Sequence, residues 1–266
     1  MIITVRAGRP CRRMHVVLIF AFLAAVPSHA QLSVGLGTDG IALAGSASLA
    51  AFSLALPAST EAMPVSLGAV NSFDRLVVLP YSRPLDVASD VATYASLLLP
   101  VALGILVPQD QVMALGVVYA EVMSEAFFAK NAGKYLVHRV RPWLYRVEDG
   151  GSSPDVWEGN DSFPSGHATL AFAAAAFGVV TAWLELPATS PWRTPLMATE
   201  AGLAVVAASL RVLSGMHFMT DVLAGAAIGS LIGVLLPLAH SAYSGPTLGS
   251  TAVVPKVLLP LVTVSY

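Results

Sequence analysis

The chain has 266 residues, of which 56% are apolar and only 11% charged, with a formal net charge of −2. Ordinary soluble domains carry about 25% charged residues, so this composition excludes a typical soluble enzyme and implies an integral membrane protein. No basic tract suggests nucleic acid as a partner, and a single cysteine, Cys11, excludes a disulfide framework and a thiolate metal site.

The chain opens like an export signal. Arg6, Arg9, Arg12 and Arg13 form a basic region, Val16 to Val26 an apolar run, and Ser28-His29-Ala30 places small residues where an exporting peptidase reads them. Cleavage is expected after Ala30, with an uncleaved anchor as the alternative. Six segments then approach the ~20 apolar residues that a membrane helix needs: 40–57, 90–107, 111–130, 167–186, 197–213 and 220–239. Asp39 and Asp90 are candidate helix caps, and Pro108 and Pro187 candidate stops. The stretch 58–89, bounded by Pro57 and carrying Pro64, Pro80 and Pro84, reads as a surface loop with short amphipathic pieces. The stretch 146–163 reads as a polar loop. Beyond His240 a tail punctuated by Gly, Ser and Pro ends in a β-branched run, Val257 to Tyr266. The expected fold class is therefore all-α: a six-helix transmembrane bundle over 31–240, preceded by a signal peptide over 1–30 and followed by a tail over 241–266. Gly225, Gly229 and Gly233 recur every four residues. Such a face lets helices approach closely in lipid, and it reads as bundle packing.

Three short segments concentrate the chemistry. Lys134 lies seven residues before Arg141-Pro142. On a helix that spacing puts both cations on one face, with Pro142 ending the helix at Arg141, and two cations at a helix end can grip one phosphate. Basic side chains reaching for the membrane interface are the bland reading. Next, Pro164-Ser165-Gly166-His167 opens a long apolar helix, with Ser162 as the expected N-cap. Free N–H groups and the helix dipole make such a start an anion site, toward which His167 projects. Finally, Arg211 precedes His217 and Asp221, which are four residues apart and hence share a helix face. The carboxylate can hold one ring nitrogen and leave the other free to attack. Taken alone, this is also what a structural His–Asp pair looks like.

Together the segments, in order and spacing, resemble the type 2 phosphatidic acid phosphatase superfamily, whose pattern is K-x6-RP, then PSGH, then S-R-x5-H-x3-D. One departure is Leu210, which stands where the pattern has a serine. The resemblance implies a membrane phosphatase of lipid phosphomonoesters or lipid pyrophosphates, with a lipid phosphotransferase as a close variant. It implies His217 as nucleophile, Asp221 as its orienting group, and His167 as the acid that protonates the leaving oxygen and then activates water. Lys134, Arg141, Arg211 and the backbone amides near Ser165 and Gly166 would bind the phosphoryl oxygens. The expected partners are a phosphorylated lipid and the bilayer, and no cofactor or metal is expected. A transporter with intramembrane charges is the alternative from a different class.

Among other polar residues, Glu121 and Glu125 are expected to pair with a cation such as Lys134, with a path to the site as the alternative. Trp143 and Tyr145 are expected at headgroup level, and Asn160 and Asp161 behind the Pro-Ser-Gly-His turn. His15, His29, His138 and His240 show no partner pattern. The location expected is the inner membrane with the site facing the periplasm, although export before Ala30 followed by six crossings would put it in the cytoplasm.

Overall fold

The computed structural model describes residues 30–35, 37–57, 66–146, 153–154 and 159–243. The expected signal peptide before Ala30 and the tail beyond Tyr243 lie outside them. The described chain is helical: α1 (Thr38–Ser53), the short α2 (Ser72–Arg75), α3 (Arg83–Ala102), α4 (Val112–Val137), α5 (Gly166–Glu185), α6 (Arg193–Leu213) and α7 (Met219–Ala239). A strand β1 (Ala30–Leu32) pairs antiparallel with β2 (Ser241–Tyr243), Ala30 opposite Tyr243.

The all-α bundle expected from the sequence is therefore present, with altered boundaries. Five helices, α3 to α7, are long and apolar enough to cross a membrane. The first, α1, has 16 residues, or roughly 24 Å at 1.5 Å per residue. The second span begins seven residues before the expected position. Ser82 is extended and Pro84 sits in the first turn of α3, where a fixed φ favours a helix start and the missing N–H costs nothing. Asp90 is consequently two turns inside the helix and caps nothing. The next helix ends at Val137, where His138 takes a left-handed φ of 44° and donates its N–H to the Lys134 carbonyl at 3.1 Å. That closes the helix in the αL manner.

Side-chain contacts fix the directions. Ser46 donates to Glu125 at 2.7 Å, and Asn131 donates to Ser53 at 2.9 Å, so α1 runs parallel to α4. His240, past the end of α7, lies 3.5 Å from Asp39 and 3.4 Å from Glu121. The six long helices thus alternate in direction. Ala30 and Tyr243 share one end of the bundle; the starts of α3, α5 and α7 and the ends of α4 and α6 share the other.

At the centre is α5, with Ala168, Ala171, Ala173, Ala174, Phe177, Val180 and Ala182 wholly buried. It packs most closely against α7 through the glycine stripe. A Cβ on Gly225 would lie 2.7 Å from the Ser165 carbonyl oxygen, and one on Gly229 or Gly233 would collide with the carbonyls of Thr169 and Ala173. Only hydrogen fits there, so the stripe serves packing within the bundle. Outward faces carry apolar residues such as Leu98, Leu223 and Leu231, as lipid contact requires.

Gly229→Ala should therefore lower the thermal midpoint in detergent, because overpacking typically costs ~1–3 kcal/mol. Gly40→Ala, whose added methyl meets nothing within 4 Å, should leave the midpoint unchanged or raise it.

Candidate active site

The end of the bundle away from β1 and β2 gathers all three motifs. Lys134 stands in the last turn of α4. Arg141 does not share its helix face, as the spacing suggested, because the His138 turn ends the helix four residues before Pro142. Instead Arg141 sits in the following segment, fixed by its N–H donating to the Gly159 carbonyl at 2.8 Å. Its guanidinium is buried, donates to the Met216 carbonyl at 3.2 Å, and lies 3.4 Å from His217 Nε2. Gly166 brings the lysines in: a Cβ there would lie 3.1 Å from Lys130 Cδ and 4.0 Å from Lys134 Cε.

The start of α5 is capped by Ser165, whose Oγ accepts from the Ala168 N–H at 3.4 Å. Ser162, the expected cap, does something else. Its Oγ donates to Asp221 Oδ2 at 2.5 Å, and its carbonyl meets His217 Nδ1 at 2.8 Å. The Ser165 N–H is committed to the Asp221 carbonyl at 3.0 Å. The amides left for an anion are thus those of Gly166 and His167, which as first helical residues have no intrahelical acceptor. This moves the expected amide donors one residue along the chain.

The same contacts correct the expected His217–Asp221 pairing. The two are one turn apart, but Asp221 Oδ2 is 3.8 Å from Nδ1. A carbonyl oxygen only accepts, so Nδ1 carries the proton it gives to Ser162, and Nε2 keeps its lone pair toward Arg141. Asp221 acts at one remove, holding Ser162 in place. Its other contacts are the Phe218 N–H at 2.9 Å and Arg139 Nη1 at 2.5 Å. Arg139 also donates to Asp74 Oδ2 at 2.7 Å and lies 4.2 Å above the Phe218 ring. Burial alone would raise the Asp74 carboxyl, but hydrogen bonds from Arg139, Thr220 and Asn71 outweigh it and hold it below the usual range. Asp74 and Arg139 were not singled out in the sequence. The clue available was a buried-type carboxylate, Asp74, in the segment taken for a surface loop.

Arg211, at the end of α6, is buried and pairs through Nη1 with Asp86 Oδ1. It also donates to Ser89 Oγ at 3.1 Å. His167 Nε2 lies 2.8 Å from Asp90 Oδ1. Both carboxylates come from α3 and were missed as site residues. Two aspartates four residues apart in an apolar span were the available signal, since such groups are costly in lipid and almost always paired. The chain reaches His217 through Gly215, whose φ is +74°; a Cβ there would lie 2.6 Å from the carbonyl oxygens of Leu79 and Pro80. Burial, followed by the nearby charges of Arg141, Arg211 and Lys134, pushes His217 well below the usual histidine range.

The remaining expectations divide. Asn160 is buried beside the site, and Asp161 lines, with Ser53, Asn131, Lys134 and Tyr135, a cavity of about 200 Å³. Glu121 meets His240 and Glu125 meets Ser46 rather than Lys134, because both glutamates lie at least two turns toward the far end of α4. His240 therefore has partners after all. Trp143 is buried inside the protein, and Tyr145 packs edge-on against Phe218, centroids 6.1 Å apart. Among the described residues, no cluster of three or more His, Cys, Asp or Glu side chains is placed to hold a metal.

The folded segment that carries all three motifs is also the one that other proteins share. Residues 112–243 match the PAP2 superfamily, the family whose pattern the three motifs resemble. Over 105 residues it is 36% identical to a lipid A 1-phosphatase of Porphyromonas gingivalis, covering 40% of this chain and 19% of that one. Over 99 residues it is 34% identical to phosphatidylglycerophosphatase B of Bacillus subtilis, covering 36% of this chain and 47% of that one. The chain thus spans less than half the length of either curated relative. The crystal structure of a transmembrane PAP2 type phosphatidylglycerolphosphate phosphatase from Bacillus subtilis aligns with a TM-score of 0.45 at 19% identity, covering 85% of this chain and 94% of that one.

The lowered His217 has a consequence for stability. The unfolded chain binds a proton at this residue below about pH 6.5, whereas the folded chain keeps it neutral. Stability should therefore fall as pH drops below that value. In His217→Gln the thermal midpoint should depend less steeply on pH between about 7 and 5, as measured by thermal scans in detergent.

Proposed function

We propose that this chain is a membrane lipid phosphatase that works through a phosphohistidine on His217. The observation that carries the reading is the fixed tautomer of His217, with Nδ1–H tied to the Ser162 carbonyl and Nε2 turned toward Arg141. The names of the two curated relatives support a phosphorylated lipid as the substrate class. Candidates are phosphatidic acid, phosphatidylglycerol phosphate, undecaprenyl pyrophosphate and the phosphates of lipid A.

In the proposed reaction Nε2 of His217 attacks phosphorus, and the bond to the lipid oxygen breaks as His167 gives that oxygen a proton. Water, deprotonated by His167, then attacks the phosphohistidine and releases inorganic phosphate. Arg141, Arg211, Lys134 and the amides of Gly166 and His167 stabilise the phosphoryl oxygens. Electrostatic stabilisation of this kind, set in place beforehand, is the main catalytic resource in phosphoryl transfer. With the positive charge supplied by side chains, the reaction takes no metal.

Release of phosphate from the four candidate lipids should persist in excess chelator and be inhibited by vanadate. Rapid-quench labelling should trap an acid-labile phosphoenzyme in the wild type and none in His217→Ala. A phosphoenzyme that survives in His217→Ala, or activity lost in chelator and restored by a divalent ion, would overturn this mechanism.

The proposed setting is the inner membrane with the site facing the periplasm. Because the helices alternate, the site lies opposite Ala30 and Tyr243, so this placement requires both to be cytoplasmic and the segment 16–26 not to carry residue 30 across. Export before Ala30 and an outward-facing site exclude one another. A fluorescent protein fused after Tyr243 should be fluorescent, and alkaline phosphatase fused there inactive; the reverse pattern would put the site in the cytoplasm.

A further inference from the structure

The proposed chemistry uses two histidines and three cations but not the aspartates of α3. Asp86 is matched to Arg211. Asp90, one turn further on, lies 3.8 Å from Arg211 Nη1 but reaches His167 Nε2 at 2.8 Å. Its side chain is 41% accessible and that of His167 33%, so the contact lies at the open edge of the site.

We propose that Asp90 is the positioning residue for His167, keeping it protonated and aimed for the first step. This rests on the reading of His167 as the general acid. The other groups that face His167 from its neighbours are the neutral ring of His217 and four cations: Arg211 of α6, Lys130 and Lys134 of α4, and Arg141 beyond it. Burial first, and then all four cations, oppose the imidazolium, and the geometry that favours it is the Asp90 carboxylate within hydrogen-bond distance. With Nε2–H given to Asp90, Nδ1–H is the proton available to the leaving oxygen. As the N–P bond to His217 forms and the P–O bond breaks, that proton moves to the departing oxygen and leaves neutral His167, still held through Nε2–H. In the second step Nδ1 takes a proton from the attacking water, the new O–P bond forms, and the N–P bond breaks. The histidine returns to its starting charge state.

The test is Asp90→Asn in the full chain, assayed with phosphatidic acid, or whichever candidate lipid is turned over, and with an activated aryl phosphate whose leaving group needs no proton. General acid catalysis is worth ~10²–10⁴-fold. The lipid kcat should fall roughly tenfold or more, and the aryl phosphate kcat far less. Removing the carboxylate should move the basic limb of the lipid kcat/KM profile to lower pH by about 1 unit, and Asp90→Glu should recover part of the rate. Equal losses on both substrates with an unmoved pH profile would reduce Asp90 to a structural role. A faster Asp90→Asn enzyme would mean that Asp90 competes with substrate for His167. Either result overturns the proposal. His167→Ala, measured alongside, separates the failures. Full lipid turnover there refutes the general-acid reading itself, whereas loss in His167→Ala with an intact Asp90→Asn enzyme refutes only the role of Asp90.

Discussion

The buried carboxylate of Asp221 is the tie on which the site depends. Its side chain is wholly buried and takes hydrogen bonds from Ser162, Phe218 and Arg139, while its carbonyl accepts the N–H of Ser165. One residue thereby joins the first turn of α7, the turn that opens α5, and the segment beyond α4. A buried charge is costly unless paired and hydrogen-bonded, so each partner must be in place together. Removing one side of such a buried pair costs ~3–5 kcal/mol, more than most single packing contacts. The carbonyl that fixes His217 is held by this same tie, so the geometry of the proposed nucleophile inherits the precision of a structural node.

Around that node the charges are arranged in opposed pairs. Arg211 faces Asp86, and Arg139 faces Asp74 and Asp221. Six helix ends converge at that end of the bundle, and each brings polar groups whose partners sit on another helix. Away from the site, the contact between α5 and α7 needs only shape. The glycine stripe of α7 against the small residues of α5 supplies it, letting two backbones touch.

Much of this was legible in the chain. The apolar segments, the glycine repeat and the three motifs are local patterns, and local patterns survive folding. What was not legible came from contacts between segments distant in sequence. Asp221 and His217 are spaced to share a helix face, yet the carbonyl of Ser162, 55 residues away, takes the ring nitrogen. Arg141 is spaced to share a face with Lys134, yet one left-handed residue, His138, breaks the helix between them. Asp86 and Asp90 stood in a stretch divided between an expected loop and an expected span. The proline-rich composition hid a helix that starts at Arg83, because Pro84 opens a helix as readily as it ends one. The partners of Glu121 and His240 likewise follow from helix directions, which no spacing within one helix reveals.

The strand pair that joins Ala30–Leu32 to Ser241–Tyr243 has a consequence for how such a bundle can grow. The first and last strands of the described residues lie together, at the end of the bundle remote from the proposed site. The two strands hold the exits side by side, so paired extensions there would start in register with one another. The residues of the proposed site lie at the opposite end of the helices, a bundle length away from that strand pair.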